Sequence, residues 1–253
     1  MAYPLPAVND PIGRTSRADT WWLMPSLMAI GFILFIIYAV WAALQPREFA
    51  EYGSYLSPFY SPDLTSFFTW WKWSPAFLVV WLPSGFRLTC YYGRKAYHRS
   101  LVMNPPACTV GKGAGSKKYQ GERALPWVLN NIHRYFLYLI LVLVAFHWIH
   151  FVEAYRFDGK FGMALGSLVV SADTILLSLY VFSCHSLRHI VGGNVDCFSC
   201  AAGGEARHKV WKGVSRLNEY HNVFFWLSLL AVGFADFYIR QVAMGNWTDV
   251  RFF

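Results

Sequence analysis

Five long apolar stretches, separated by polar connections, dominate the pattern of this chain. Trp21–Leu44 carries no charge and, at about 20 residues per crossing, is long enough to span a bilayer. Phe67–Thr89 is a second span, interrupted by Lys72 and bent by Pro75 and Pro83. Pro126–Val152 opens with a proline, which the first helical turn tolerates. Phe161–Cys184 holds Asp173 within it, and Val223–Ile239 is the last. The pattern predicts an all-α integral membrane protein, a bundle of five transmembrane helices forming one membrane domain over residues 1–253. Composition agrees, at 56% hydrophobic, 19% aromatic and only 14% charged.

Charge sets the expected orientation. Fourteen of the 22 Lys/Arg lie in the second and fourth connections: nine over Arg87–Arg134 against Glu122, five over Arg188–Arg216 against Asp196 and Glu205. The first connection, Gln45–Asp63, has Arg47 against Glu48, Glu51 and Asp63. Basic loops stay cytoplasmic, which puts the N-terminus inside and the C-terminus outside. The net charge of +8 is thereby an insertion signal or a docking surface for a cytoplasmic partner, and no nucleic-acid partner is expected. The first 20 residues lack a signal-peptide pattern, and Asn246-Trp247-Thr248 is a weak glycosylation sequon. Gly111–Lys118 is glycine-rich and basic but does not meet phosphate-loop spacing, so it reads as a surface loop.

With that topology, all five cysteines and six of the eight histidines fall on the cytoplasmic side. Reduced thiols are the norm there, so disulfides are not expected. Cys184 is followed by His185 and His189, four apart and hence stacked on one helix face. Cys90 ends the second span at a similar depth; Cys108, Cys197, Cys200, His98, His133 and His221 share that side. Thiolates and imidazoles are ligands for zinc or for an iron–sulfur cluster of mixed Cys/His type. A buried cysteine is equally a small hydrophobe, and an interfacial histidine a hydrogen-bonded tip. Cys197-Phe198-Ser199-Cys200 lacks the histidine of a c-type haem attachment, Ala201 coming next. Haem b is the rival cofactor. The first two spans contain no histidine, so two stacked haems are excluded and one haem, from His133 or His185 to His221, stays open. Lys72 and Asp173 lie in the outer halves of their spans, where they could pair or Lys72 could snorkel outward. Trp70, Trp71, Trp73 and Trp81 suit an interfacial belt.

Cys90-Tyr91-Tyr92-Gly93-Arg94-Lys95-Ala96-Tyr97, Pro105-Pro106-Ala107-Cys108, Asn131-Ile132-His133-Arg134-Tyr135-Phe136 and Ser183-Cys184-His185-Ser186-Leu187-Arg188-His189 occur in that order. Together they resemble the single-chain membrane anchor of respiratory complex II, of the actinobacterial succinate dehydrogenase type. The resemblance covers about the second to the fourth helix. It implies a multi-pass anchor in a bacterial cell membrane, with flavoprotein and iron–sulfur subunits docked on the cytoplasmic face. It further implies electron delivery to menaquinone or another membrane quinone, with a Rieske-type [2Fe–2S] centre in place of haem. Metal ligands are then expected among Cys90, Cys108, Cys184, His185 and His189. A quinone needs an apolar slot with one or two donors, for which Tyr91, Arg94, His133 and Arg134 are candidates. Flavin and dicarboxylate chemistry would belong to the partners, and a higher oligomer is compatible. The contrasting reading is a transporter or scaffold with structural zinc, although no paired Gly/Pro-broken helices support transport.

Overall fold

The computed structural model describes residues 18–103, 132–193 and 195–253. Eight α-helices are present among them: α1 (Leu23–Leu44), α2 (Ala76–Thr89), α3 (Tyr91–Ser100), α4 (His133–Glu153), α5 (Leu165–Phe182), α6 (His185–Arg188), α7 (Gly204–Glu219) and α8 (His221–Ala243). Among the described residues, α1, α4, α5 and α8 are long and apolar enough to cross a membrane. α2 has 14 residues, about 21 Å at 1.5 Å per residue, short of a hydrocarbon core of about 30 Å.

The second apolar stretch therefore becomes helical only at Ala76, not at Phe67. Pro75 starts it, and a residue before proline is kept out of the α region, which holds Ser74 outside. Trp70 and Trp73 stay exposed in the non-helical approach. Lys72 is exposed there too, so of the two readings pairing with Asp173 does not form. Asp173 instead faces His147 of α4, with Oδ2 and Nε2 4.0 Å apart.

The fourth span starts at Leu165 because Arg156–Phe161 is a hairpin. β3 (Arg156–Phe157) pairs with β4 (Lys160–Phe161) across Asp158-Gly159, both at positive φ as a tight two-residue turn needs. A similar hairpin joins β1 (Glu51–Tyr52) to β2 (Tyr55–Leu56). The last helix runs on past Ile239 because Arg240, fully buried, bonds Asp236 one turn back. Asp236 also accepts from Tyr38 of α1 (2.5 Å) and from Ser57, while Arg240 Nη2 donates to the Ala42 carbonyl (2.8 Å). This knot ties α8 to α1 and to the segment after it.

α5 packs most extensively on α8, α4 lies between α2 and α5, and α1 leans on α3 and α8. The core runs from Val79 and Phe86 on α2 through Leu137, Ile140 and Val144 on α4 to Leu177, Tyr180 and Val181 on α5 and Phe225 on α8. Gly85 lets α2 approach α4, since a Cβ there would sit 2.3 Å from the Phe136 ring. Outside this core, Leu34, Ile37, Val142 and Leu230 are exposed, as lipid-facing side chains are.

The ends of α2 and α5 and the starts of α4 and α8 gather at one end of the bundle. At the opposite end Asp249 accepts from Tyr55, Tyr238 and the Gly166 amide (2.7–2.8 Å), an acid placed at the N-terminus of α5.

Candidate functional site

Two helices deliver the same pair of residues to that gathered end. α2 stops at Thr89 with Cys90 beyond it, and α5 stops at Phe182 with Ser183 and Cys184 beyond it. Both cysteines have extended backbone, which ends one helix and caps the next: Cys90 precedes α3 and Cys184 precedes α6. Both are buried, at 2% and 1% exposure, and belong to the core. The other two contributors open helices, His133 at the start of α4 and His221 at the start of α8.

The four meet in crossed pairs. His133 Nε2 lies 3.3 Å from Cys184 Sγ, and His221 Nε2 lies 3.4 Å from Cys90 Sγ. The other ring nitrogens fix the tautomers. Thr89 Oγ1 spends its one hydrogen on the Gly85 carbonyl (2.7 Å), so it accepts from His133 Nδ1 at 2.9 Å. Ser183 Oγ likewise donates to the Tyr180 carbonyl (3.0 Å) and accepts from His221 Nδ1 at 2.7 Å. Each neutral imidazole thus carries its hydrogen on Nδ1 and turns the bare Nε2 toward a thiol. Asn218 of α7 donates to the Ser183 carbonyl (2.7 Å) and holds that helix end in place.

Aromatic rings and one cation wall the site. Phe86 stacks on His133 at 4.5 Å and Tyr180 on His221 at 5.0 Å. Arg87 lies over Tyr180 (4.6 Å) and donates to the Phe225 carbonyl and Ser228 (2.9 and 3.0 Å). Above them is a pocket of about 420 Å³, whose lining includes Tyr91, Tyr92, Arg94, His185 and Ser186.

Of the expected ligands, Cys90 and Cys184 are at the centre of this site. His185 lines the pocket with its ring parallel to the Tyr92 ring at 6.1 Å; partial desolvation there and then the Arg188 guanidinium lower its pKa. His189 is exposed in a π-helical turn (His189–Gly193) and does not line the pocket. Cys108 lies outside the described residues, as do Pro105 to Ala107 and Asn131. Tyr91 and Arg94 line the pocket together, the guanidinium 5.7 Å from the ring, whereas Arg134 is exposed away from it. His133, expected as a quinone donor, is held against Cys184. His221, read from the sequence as a possible haem ligand opposite His133 or His185, was not among the expected cluster ligands. The signal that singles it out is a Ser/Thr-Cys pair closing each of two apolar runs, with a histidine opening the run after each.

The expectation of no disulfide fails at Cys197 and Cys200, which are bonded to each other across their tight turn, Cα atoms 5.3 Å apart. That expectation rested on compartment, whereas this bond is local and needs only that the turn bring neighbours together.

Two cysteines and two histidines from four helices suit a mixed-ligand iron–sulfur centre. Among the described residues no three His, Cys, Asp or Glu are arranged around a single metal position.

The model of the actinobacterial succinate dehydrogenase subunit SdhC family matches residues 23–245. Among solved structures, a chain described as the Mycobacterium smegmatis Sdh1 complex in the apo form is 36% identical. Its TM-score is 0.85, and the likeness covers 98% of each chain. No curated protein matches. The chain belongs to the actinobacterial SdhC family: it is a multi-pass bacterial membrane anchor and a subunit of a succinate dehydrogenase complex.

Proposed function

We propose that this anchor relays electrons from an iron–sulfur partner to membrane quinone through a [2Fe–2S] centre held by Cys90, Cys184, His133 and His221. The observation that carries this is the matched pair of imidazoles, each with Nδ1 fixed by a hydroxyl and Nε2 aimed at a thiol. Ligating histidines are commonly oriented through the other ring nitrogen in this way. When bound, such a centre supplies one-electron transfer at a potential raised by its imidazole ligands. The protein's part is to exclude water with Phe86, Tyr180 and Phe225 and to place Arg87 beneath, where a cation favours the reduced state. A single haem between His133 and His221 would need both Nε2 atoms to face its iron, but each faces a sulfur.

Tyr91 and Arg94 line the same pocket and are the proposed donors to a quinone carbonyl. Basic residues on α3 (Arg94, Lys95, Arg99) and α7 (Arg207, Lys209, Lys212, Arg216) crowd this end. They support a cytoplasmic orientation, an N-terminus on that side, and docking of the iron–sulfur and flavoprotein subunits there. On this reading five helices cross, α2 being completed by the Trp-rich approach to it.

The test is iron and acid-labile sulfide content, with the electron paramagnetic resonance signal, of the purified complex. Cys90→Ser, Cys184→Ser, His133→Ala and His221→Ala are each expected to lose the centre. His185→Ala, His189→Ala and the double change Cys197→Ser/Cys200→Ser are expected to keep it. Retention in His133→Ala and His221→Ala, with loss in His185→Ala, would overturn the ligand set.

A further inference from the structure

A second buried polar group lies well away from the Cys/His site. Asp173, in the middle of α5, is 2% exposed, and its Oδ1 has no hydrogen-bond partner among the described residues. Ser61 Oγ, also 2% exposed, and His150 Nε2 on α4 share that condition. All three residues line one cavity with His147 and Thr174. At about 10 Å³ it has room for a single water molecule. An isolated unpaired polar atom in a bundle is an imperfection. Three converging on one water-sized space make a site, because each would otherwise carry a desolvation cost of about 1–3 kcal/mol.

The hydrogen positions around this cavity leave room for a proton. His147 Nδ1 lies 3.0 Å from the Leu143 carbonyl, which only accepts, so Nδ1 carries the hydrogen. Its Nε2, bare in the neutral ring, then faces the carboxylate of Asp173, and a proton between them is missing unless one of the two is protonated. His150 repeats the logic one turn on. Its Nδ1 donates to Glu153 at 2.8 Å, leaving a bare Nε2 on the cavity. Glu153 is half-exposed, and both it and His150 line a vestibule of about 440 Å³ with Arg47, Glu51 and Asp63. His150 thus touches bulk-accessible space on one side and the buried cavity on the other.

We propose that Asp173 is a proton-binding site inside the bundle, exchanging protons through His150 with the vestibule at the end opposite the Cys/His site. A proton from solvent adds to His150 Nε2 when the ring turns that atom toward the vestibule; turned back onto the cavity, Nε2 gives the proton to the Asp173 carboxylate and His150 is neutral again, its hydrogen on Nδ1. The groups facing Asp173 are His147 and His150 from α4, Ser61 from the segment between α1 and α2, and Arg87 from α2, which acts on it electrostatically. α8, also packed on α5, turns its Asp236–Arg240 pair toward α1 instead. Arg87 also underlies the Cys/His site, so the charge of Asp173 is felt there, but the proton site itself does not depend on which metal that site holds.

The test is time-resolved infrared spectroscopy of the intact complex in vesicles, following the carboxylic C=O stretch after a pH step on one side. A band is expected that Asp173→Asn removes and that answers to pH on the vestibule side. His150→Phe, which keeps the ring but removes both nitrogens, should slow its rise by roughly 100-fold, the usual worth of a positioned acid–base group. Should Asp173→Asn fail to assemble, carboxyl-isotope-labelled aspartate in the native complex with the His150→Phe comparison decides the matter. A band that answers only to pH on the Cys/His side, that rises equally fast in His150→Phe, or that never forms would overturn the proposal.

Discussion

His133 and Cys184 are 51 positions apart, yet Nε2 and Sγ stand 3.3 Å from each other because α4 starts where α5 ends. Thr89, a neighbour of the other cysteine, sets the ring's orientation. The imidazole is therefore gripped by two helices at once, and the nitrogen it turns toward the thiol is chosen by a hydroxyl on the other side of the ring.

Removing those hydroxyls should loosen the centre without removing a ligand. Thr89→Val and Ser183→Ala each free one Nδ1 and allow the other tautomer. The expected loss is about 10- to 100-fold in metal affinity, the usual effect of an orienting partner. Iron content under chelator challenge and the midpoint potential measure it; Ser183→Thr should restore both. Unchanged values in both hydroxyl-free variants would show that the rings are positioned by stacking alone.

The buried pair on α8 should behave as a unit. Asp236→Ala strands the Arg240 guanidinium at zero exposure and is expected to cost about 3–5 kcal/mol. The double change Asp236→Leu/Arg240→Met should recover much of this, since apolar pairs of similar volume often replace buried ions without loss. Thermal denaturation of the detergent-solubilised complex reads both, and a double variant no better than the single would refute the coupling.

Gly85 carries the α2–α4 contact. Gly85→Ala puts a methyl group against the Phe136 ring, and overpacking of this kind costs about 1–3 kcal/mol. Phe136→Leu, which withdraws the ring, should partly rescue it. Independent, additive effects in the same melting assay would speak against direct contact.

The opposite end has a pH-dependent contact. Burial works upward on the Asp63 pKa, but hydrogen bonds from Thr65 and the Arg47 guanidinium outweigh it and hold the pKa low. A lowered folded-state pKa means stability present above the unfolded value and lost as pH falls through the folded one. The acid side, below about pH 4, is therefore where this contact weakens. Since the pair is largely exposed, the effect should be small. Asp63→Asn should abolish the corresponding part of the acid dependence of proteolysis in the Gln45–Asp63 connection.

Four of the five hydrophobic runs coincide with helices long and apolar enough to cross a membrane, because apolar length alone marks such a helix; the second run yields only the shorter α2. Their ends were less legible. Phe161 is as apolar as its neighbours but belongs to a hairpin made by Asp158-Gly159, and Arg240 continues a helix because a carboxylate one turn back meets it. Cys90 and Cys184 stood out as thiols at matching depth. His185 and His189 stood out because they follow Cys184 and lie four apart on one helix face, whereas His133 and His221 reach the thiols through tertiary packing between distant segments. α7 went unread because its helical period lies in a basic connection noticed for charge alone.

The crossing of partners at the Cys/His site has a consequence for biogenesis. α2 supplies the hydroxyl for one histidine and the sulfur for the other, and α5 does the reverse. No contiguous stretch of the chain therefore holds all four side chains together until α8 has packed against α5. A nascent chain halted before His221 holds two of the thiols and one of the imidazoles, so the four side chains come together only once the membrane fold is complete.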